Sequence, residues 1–306
     1  MKTKYFFLIA FFALFSTTIV FAQNTESLSG FISLTPAVLN KKGEALYGNG
    51  QYAEAIQCFR TAAERGDCEA IYNIGVCYFE GKGVSQDYKE AAKWSRKAAE
   101  QGLAVAQFGL GYCYQNGVGV EPNIDEATEW YRKAAEQGHA SAQHSLSLLY
   151  FNGKGVSQDY KEAAKWARKA AEQGHAVAQF DLGYCYANGV GTEKNENEAI
   201  KWYRKAAEQG YHNAQYEVGS YEFGKGVLDA MCFDIEGATY HYMDAFEWYL
   251  KASKQGHIEA QYEVGYCYEF GKGTAKNLDE AIKWYKKAAE QGHMEAKEAL
   301  QKLQNR

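Results

Sequence analysis

Four histidines each follow a turn glycine, at His139, His175, His257 and His293, and seven cysteines are spread along the chain. Imidazoles and thiolates bind zinc, and thiols also form disulfides, so metal binding and cross-linking are the first chemistries to weigh. Spacing speaks against both. His139 and His175 stand 36 residues apart, the step of an internal repeat, and side chains one repeat apart cannot share an ion whose nitrogen ligands sit at about 2 Å. A surface or turn role is expected for all four. Cys77, Cys113, Cys185 and Cys267 occupy one repeat position. Helices one repeat apart stand about 10 Å apart, beyond the roughly 7 Å a disulfide tolerates between Cα atoms. These thiols read as small buried hydrophobes. Pairing of Cys58 with Cys68 stays open on sequence separation, and Cys232 has no evident partner. The Gly-Lys-Gly stretches at 81–83 and 153–155 resemble phosphate loops only superficially, because no G-x-x-x-x-G-K-(S/T) occurs, and no H-E-x-x-H is present. No catalytic residue, cofactor or metal is therefore expected.

The elements that carry these residues repeat. The alanine opening each copy of A-Q-(F/Y)-x-(L/V)-G-Y-C-Y, or its variants, falls at Ala70, Ala106, Ala142, Ala178, Ala214, Ala260 and Ala296, in steps of 36 with a single step of 46. A fixed period of this size marks a solenoid, whose units are too small to bury their own apolar faces and stack on one another. Within 106–141, Ala106, Phe108, Leu110, Tyr112 and Tyr114 form one helical segment, broken by Gly117 and Gly119. Ala127, Trp130, Tyr131, Ala134 and Ala135 form a second at spacings of three and four, ending at Gly138, a left-handed C-cap. Asn123 and Glu126 read as a capping box, as do Asp87/Glu90, Asp159/Glu162, Asn195/Glu198 and Asn277/Glu280. Each unit is helix A, glycine loop, helix B and glycine turn.

L-G-x-x-Y in helix A, A-x-x-W/Y in helix B and K-A-A-E-Q-G at its end resemble the Sel-one-like repeat family, relatives of the 34-residue tetratricopeptide repeats. The resemblance implies an all-α right-handed superhelix of stacked helix pairs. It covers 70–295 as six units: 70–105, 106–141, 142–177, 178–213, 214–259 and 260–295. Residues 37–69 fit a tetratricopeptide-like starter without the glycine loop, and 296–306 a C-terminal capping helix. Residues 81–102 and 153–174 differ only at Ser95 against Ala167, which points to copying of a 72-residue pair. The unit from Ala214 reads as lacking one helix-A residue and then gaining a stretch around 228–243, and insertions in solenoids map to loops. Some secreted relatives pair a helix-A with a helix-B cysteine; the helix-B partner is absent here, so that pairing does not carry over.

The resemblance also places helix A on an inner, concave surface. Two ladders would stand there: Tyr72, Phe108, His144, Phe180, Tyr216 and Tyr262, and Val76, Tyr112, Leu148, Tyr184, Ser220 and Tyr266. Aromatic rungs suit an extended peptide or a glycan, through large flat area at low entropy cost; packing between helices is the competing reading of the same stripe. Tyr78, Tyr114, Tyr150, Tyr186 and Tyr268 read as core. Phe233, Tyr240 and Tyr242 in the insertion are candidates for a clamp beside the ladders. The function implied is a protein–protein interaction scaffold taking a peptide or partner domain. A β-lactamase-type or other cell-wall hydrolase is the enzyme alternative, and S-x-x-K, S-D-N and K-T-G are all absent. A glycan-binding envelope protein is the third reading.

Lys2 and Lys4, an apolar run from Tyr5 to Ala22 and small residues at Val20 and Ala22 read as a cleaved signal peptide, 1–22, followed by a flexible segment, 23–36. The expected location is periplasmic or secreted, with no membrane span after cleavage. Removal of two lysines takes the net charge from −5 to −7, and helix B mixes both signs (Arg96, Lys97, Glu100; Arg132, Lys133, Glu136) as a solvated face, so nucleic acid is a poor partner. Intact mass of the exported protein should give a mature chain beginning at Gln23; a mass retaining residues 1–22 would make that segment an anchor.

Overall fold

The computed structural model describes residues 34–304, so the expected signal peptide and most of the segment after it lie outside the described residues. The described residues form fifteen helices and no strand, in two compact units. The first holds residues 34–149 with 153–157, the second 150–152 with 158–304. In the first, α1 (Pro36–Gly48) and α2 (Tyr52–Glu64) precede the pairs α3 (Cys68–Glu80)/α4 (Tyr88–Glu100) and α5 (Ala104–Asn116)/α6 (Ile124–Glu136). Helix α7 (Ala140–Asn152) ends three residues into the second unit. That unit continues with α8 (Tyr160–Glu172), then α9 (Ala176–Asn188)/α10 (Glu196–Glu208), α11 (His212–Met231)/α12 (Ile235–Lys254), α13 (Ile258–Phe270)/α14 (Leu278–Glu290) and α15 (Met294–Gln304). Along α1–α6 and along α8–α15 each helix packs on its chain neighbours.

Short polar signals set the helix ends. Asn123 Oδ1 accepts the N–H groups of Asp125 and Glu126, both at 3.1 Å, and Asp87, Asp159, Asn195 and Asn277 cap their helices alike. The reciprocal half of the capping box does not form. The N–H of Asp87 already donates to the Tyr78 carbonyl at 2.9 Å, so Glu90 is free to pair with Lys93. At the other end of helix B, Gly138 takes φ +89°, its N–H donating to Ala135 O and that of His139 to Ala134 O, a Schellman closure. The second loop glycine makes the stacking contact. A Cβ on Gly119 would run into the Tyr88 carbonyl, where the loop rests on the first turn of α4.

The turn histidines do more than sit at a turn. Nδ1 of His139, His175 and His257 accepts the N–H of Ala142, Ala178 and Ala260 at 3.2 Å, and that of His293 accepts Ala296 N–H at 3.3 Å. Each is the N-cap of a helix A, and the side chains of His257 and His293 are only 10% and 13% exposed, which corrects the surface reading. The accepting nitrogen must carry no proton, so the neutral ring with its hydrogen on Nε2 is the capping form.

Between helices A and B the core is a ring seated on a glycine. A Cβ on Gly111 would stand 2.7 Å from Tyr131, and one on Gly183, Gly219 or Gly265 would meet Tyr203, Tyr249 or Tyr285 equally closely. Between repeats, buried glutamines bridge. Gln107 Nε2 donates to Ala99 O at 3.1 Å, and its Oε1 accepts from Gln137 at 2.7 Å; Gln179, Gln215 and Gln261 repeat both bonds. In α15, Ala296, Ala299, Leu300 and Leu303 close over Tyr285 and Ala288.

The insertion is helical, not a loop. Helices α11 and α12 have 20 residues each where other helices of the array have 13, and three residues join them where seven join α5 and α6. Seven more in each helix less four in the loop gives the observed ten. No helix-A residue is missing either. Arg96 and Arg168 donate to the hydroxyls of Tyr114 and Tyr186, 18 positions on; Arg204 pairs, 18 positions on, with Glu222, so Glu222 fills the tyrosine slot. Buried Glu222 also bonds His241 Nδ1 at 2.6 Å. Gly226 faces Tyr242 as Gly219 faces Tyr249, the same contact seven residues nearer the hairpin tip on each helix. Two added turns preserve the packing that a loop would have interrupted.

Two outcomes follow from these contacts. Gly111→Leu should overpack the Tyr131 ring and cost about 1–3 kcal/mol in chemical denaturation, with Tyr131→Ala in the same chain recovering part of the loss; an unchanged midpoint would show that the contact is not close. For the caps, burial holds His139 and His257 below the ordinary imidazole value of 6.5. The unfolded chain thus takes up protons first, so the stability these groups contribute is complete above about pH 6.5 and is lost as pH falls through the lower folded values. His139→Asn/His257→Asn keeps a cap that does not titrate, and its melting temperature should fall less between pH 7.5 and 5.5 than that of the parent. Parallel curves would mean the histidines do not set the slope.

Candidate functional site

The two ladders differ in burial. In the first, Phe108 is 6% and His144 8% exposed, and Tyr72, Phe180, Tyr216 and Tyr262 are half-buried. Four of these rings pack against the helix-B tyrosine of their own pair: Phe108 on Tyr131 at 5.7 Å, Phe180 on Tyr203 at 5.4 Å, Tyr216 on Tyr249 at 5.9 Å, Tyr262 on Tyr285 at 5.5 Å. From the other side the capping imidazole stacks on it, His139 on Phe108 at 4.8 Å, His257 on Tyr216 at 4.6 Å and His293 on Tyr262 at 4.7 Å. The first ladder is inter-repeat core, and Phe108 and His144 are withdrawn from any partner. Burial raises the Tyr72, Tyr216 and Tyr262 phenols above their ordinary range.

The second ladder reaches solvent most fully in two repeats. Tyr184 is 43% and Leu148 41% exposed, while Tyr112, Ser220 and Tyr266 are half-buried and Val76 is buried. Tyr266 lies against Phe270 at 4.5 Å and Phe223 at 6.0 Å. In the insertion the three candidates part company. Phe233 is 88% exposed at the hairpin tip, in a left-handed conformation at φ +62°, and Tyr240 is 68% exposed. Tyr242 is 7% exposed, seated on Gly226 with the Lys272 ammonium 4.3 Å from its ring centre, so it is core and not clamp. Of the helix-A tyrosines expected inside, Tyr114 is buried and Tyr78, Tyr150, Tyr186 and Tyr268 are half-buried.

The helix-B charges are less free than their sequence suggests. Lys133, Lys169, Lys205, Lys251 and Lys287 lie 4.0–4.1 Å from the ring centres of Trp130, Trp166, Trp202, Trp248 and Trp284, three residues earlier. All seven cysteines are free, including Cys58 and Cys68. Burial pushes the thiols of Cys113 and Cys185 up to about 11 and those of Cys77 and Cys267 up to about 12, which keeps them protonated and unreactive at neutral pH. Among the described residues no group of three His, Cys, Asp or Glu side chains is placed to hold a metal ion.

One feature of the exposed face is absent from the ladders. Asp181, Glu217 and Glu263 each follow a first-ladder residue by one position. They share a helical stripe with the second ladder, three residues before Tyr184, Ser220 and Tyr266. Desolvation raises the Glu217 carboxyl and pushes that of Glu263 to about 7. Their spacing repeats the same 36- and 46-residue steps in the sequence.

The Sel1 repeat matches seven times, at residues 43–67, 68–103, 104–139, 140–175, 176–211, 212–257 and 258–293. No curated protein matches the chain. Among solved structures, a Sel1 repeat protein from Oxalobacter formigenes is similar at 35% identity and a TM-score of 0.69, over 82% of this chain and 99% of that one. The protective antigen c5321 of uropathogenic Escherichia coli, which displays an SLR fold, is similar at 34% identity and a TM-score of 0.60; the match covers 89% of this chain and 64% of that one. With repeats spanning nearly all of the described residues and two such neighbours, the chain belongs to the Sel1 repeat family.

Proposed function

We propose that this protein is a cell-envelope adaptor that docks a peptide or partner domain against the exposed stripe of its A helices. Sel1 repeats generally serve as protein–protein interaction scaffolds. The observation that carries the finer reading is the difference between ladders: rings of the first stack on helix-B tyrosines, whereas Tyr184 and Leu148 keep more than two-fifths of their surface in solvent. Large aromatic and aliphatic side chains in that position are what hot spots are made of. Phe233 and Tyr240 extend the accessible apolar surface of the second unit along the long hairpin. An envelope location rests on the N-terminal leader pattern, and no helix among the described residues is long and apolar enough to cross a membrane. Neither the hydrolase nor the glycan reading gains a supporting contact.

Crosslinking in intact cells should capture the partner, after which titration decides the face. Tyr112→Ala and Tyr184→Ala should each weaken binding by about 2 kcal/mol with helical content and melting unchanged. Affinity that survives both substitutions but falls on Lys133→Glu or Lys205→Glu would move the partner to the helix-B side.

A further inference from the structure

The A-helix stripe of the second unit is acidic as well as aromatic. Positions 177, 181, 184 and 188 of α9, 213, 217, 220 and 224 of α11, and 259, 263, 266 and 270 of α13 follow one another at spacings of three and four and face outward or lie half-buried. They carry four carboxylates, Asp181, Glu217, Glu259 and Glu263, and no lysine, arginine or histidine. The repeat does not demand this. On α5 the matching positions are Val105, Gly109, Tyr112 and Asn116, and on α7 Ser141, Ser145 and Leu148, without a charge; on α3 they include Glu69 and Glu80, where Asn40 donates to Glu69 and Tyr47 and Lys82 to Glu80.

These carboxylates crowd one strip. Glu217, Glu259 and Glu263 all act electrostatically on the Tyr216 phenol, and Asp181 and Glu217 both act on Tyr203, so consecutive helices bring their acids to a common region. The Phe223–Tyr266 ring contact at 6.0 Å likewise shows α11 and α13 side by side. Glu217 and Glu263 lose solvent without gaining a hydrogen bond or ion pair. A half-buried carboxylate without a counter-charge is unfavourable alone, and a cation laid over it would offset that cost.

We propose that this stripe docks an extended peptide segment carrying a lysine or arginine about every third residue, with apolar side chains between them. The register follows from geometry. Rungs on adjacent A helices stand about 10 Å apart, close to three residues of extended or polyproline chain at roughly 3.1–3.4 Å each. Cations at that interval meet Asp181, Glu217 and Glu263 in turn, while Tyr184 and Tyr266 offer flat surface to the residues between. The inference rests on the docking reading above and adds the charge of the occupant.

Three fluorescent peptides of equal length test it on the full chain, identical but for lysine, glutamine or glutamate at every third position among leucines. By anisotropy the lysine peptide should bind about tenfold tighter than the glutamine peptide, and the glutamate peptide most weakly, with a preference that shrinks in high salt. Glu217→Gln/Glu263→Gln keeps shape and should abolish the preference; circular dichroism confirms its fold. Equal binding of all three peptides overturns the cationic occupant and leaves the docking face standing. A lysine preference that persists in the double variant also overturns it, since the cations then bind elsewhere. Binding of none defeats both this inference and the docking reading.

Discussion

The stacking of the repeats depends on buried glutamines, at 107, 179, 215 and 261, each with partners in three helices' worth of chain. A lone helix pair leaves carbonyls exposed at the end of helix B and an apolar face uncovered. Gln107, on α5, donates to a carbonyl at the end of α4 and accepts from Gln137 at the end of α6. Its amide is almost fully buried, and leaving either end unpaired there would cost more than the bond gains. Sliding one hairpin against the next by a single residue would strand it. The common beat of A-Q and E-Q-G is thus a hydrogen-bonding requirement, and the glycine-seated tyrosines and imidazole-stacked rings are arranged within the register it holds.

That register decides what is left for function. Consecutive residues on a helix point about 100° apart, so once Phe180 and Tyr216 turn in to meet Tyr203 and Tyr249, Asp181 and Glu217 must turn out. The residues turned outward are the leftovers of stacking, and they vary between repeats because the core does not constrain them. On α5 and α7 they are neutral, and on α9, α11 and α13 they include carboxylates. A scaffold built this way keeps one packing rule and writes its specificity in the stripe beside it.

The long hairpin α11/α12 extends the same rule instead of breaking it. Its added turns repeat the glycine–tyrosine seat at Gly226 and Tyr242, and a buried carboxylate, Glu222, takes the tyrosine slot with Arg204 and His241 as its partners. A buried ion pair adds little net stability but tolerates few alternatives. Beyond that anchor the tip has nothing to stack on, so Leu228, Met231, Phe233 and Ile235 stay in water. Phe233 at positive φ is an additional cost at a place where glycine is the usual choice.

Period, capping residues and turn glycines determined the array from sequence alone: helix pairs, their caps at Asp87 or Asn123, the left-handed closure at Gly138, the close-packed glycine at 111 and the unpaired helix-A cysteines are all local or strictly periodic signals. What sequence could not decide was which side of each helix stacking consumes. Both aromatic ladders look equally amphipathic in one dimension. Only the packed chain shows that the ring one position ahead of Asp181 or Glu217 lies between a helix-B tyrosine and the aromatic or imidazole ring at the next turn. The same holds for the histidines, whose spacing excludes a shared metal but does not reveal a cap, because the donor they satisfy is a backbone N–H three residues away, whose need appears only once the helix starts there. The insertion looks like a loop in sequence for a related reason. Gly224, one residue earlier than the usual loop glycine, imitates a helix stop, and nothing local overrules it; the tertiary contacts of Glu222, Gly226 and Tyr242 do.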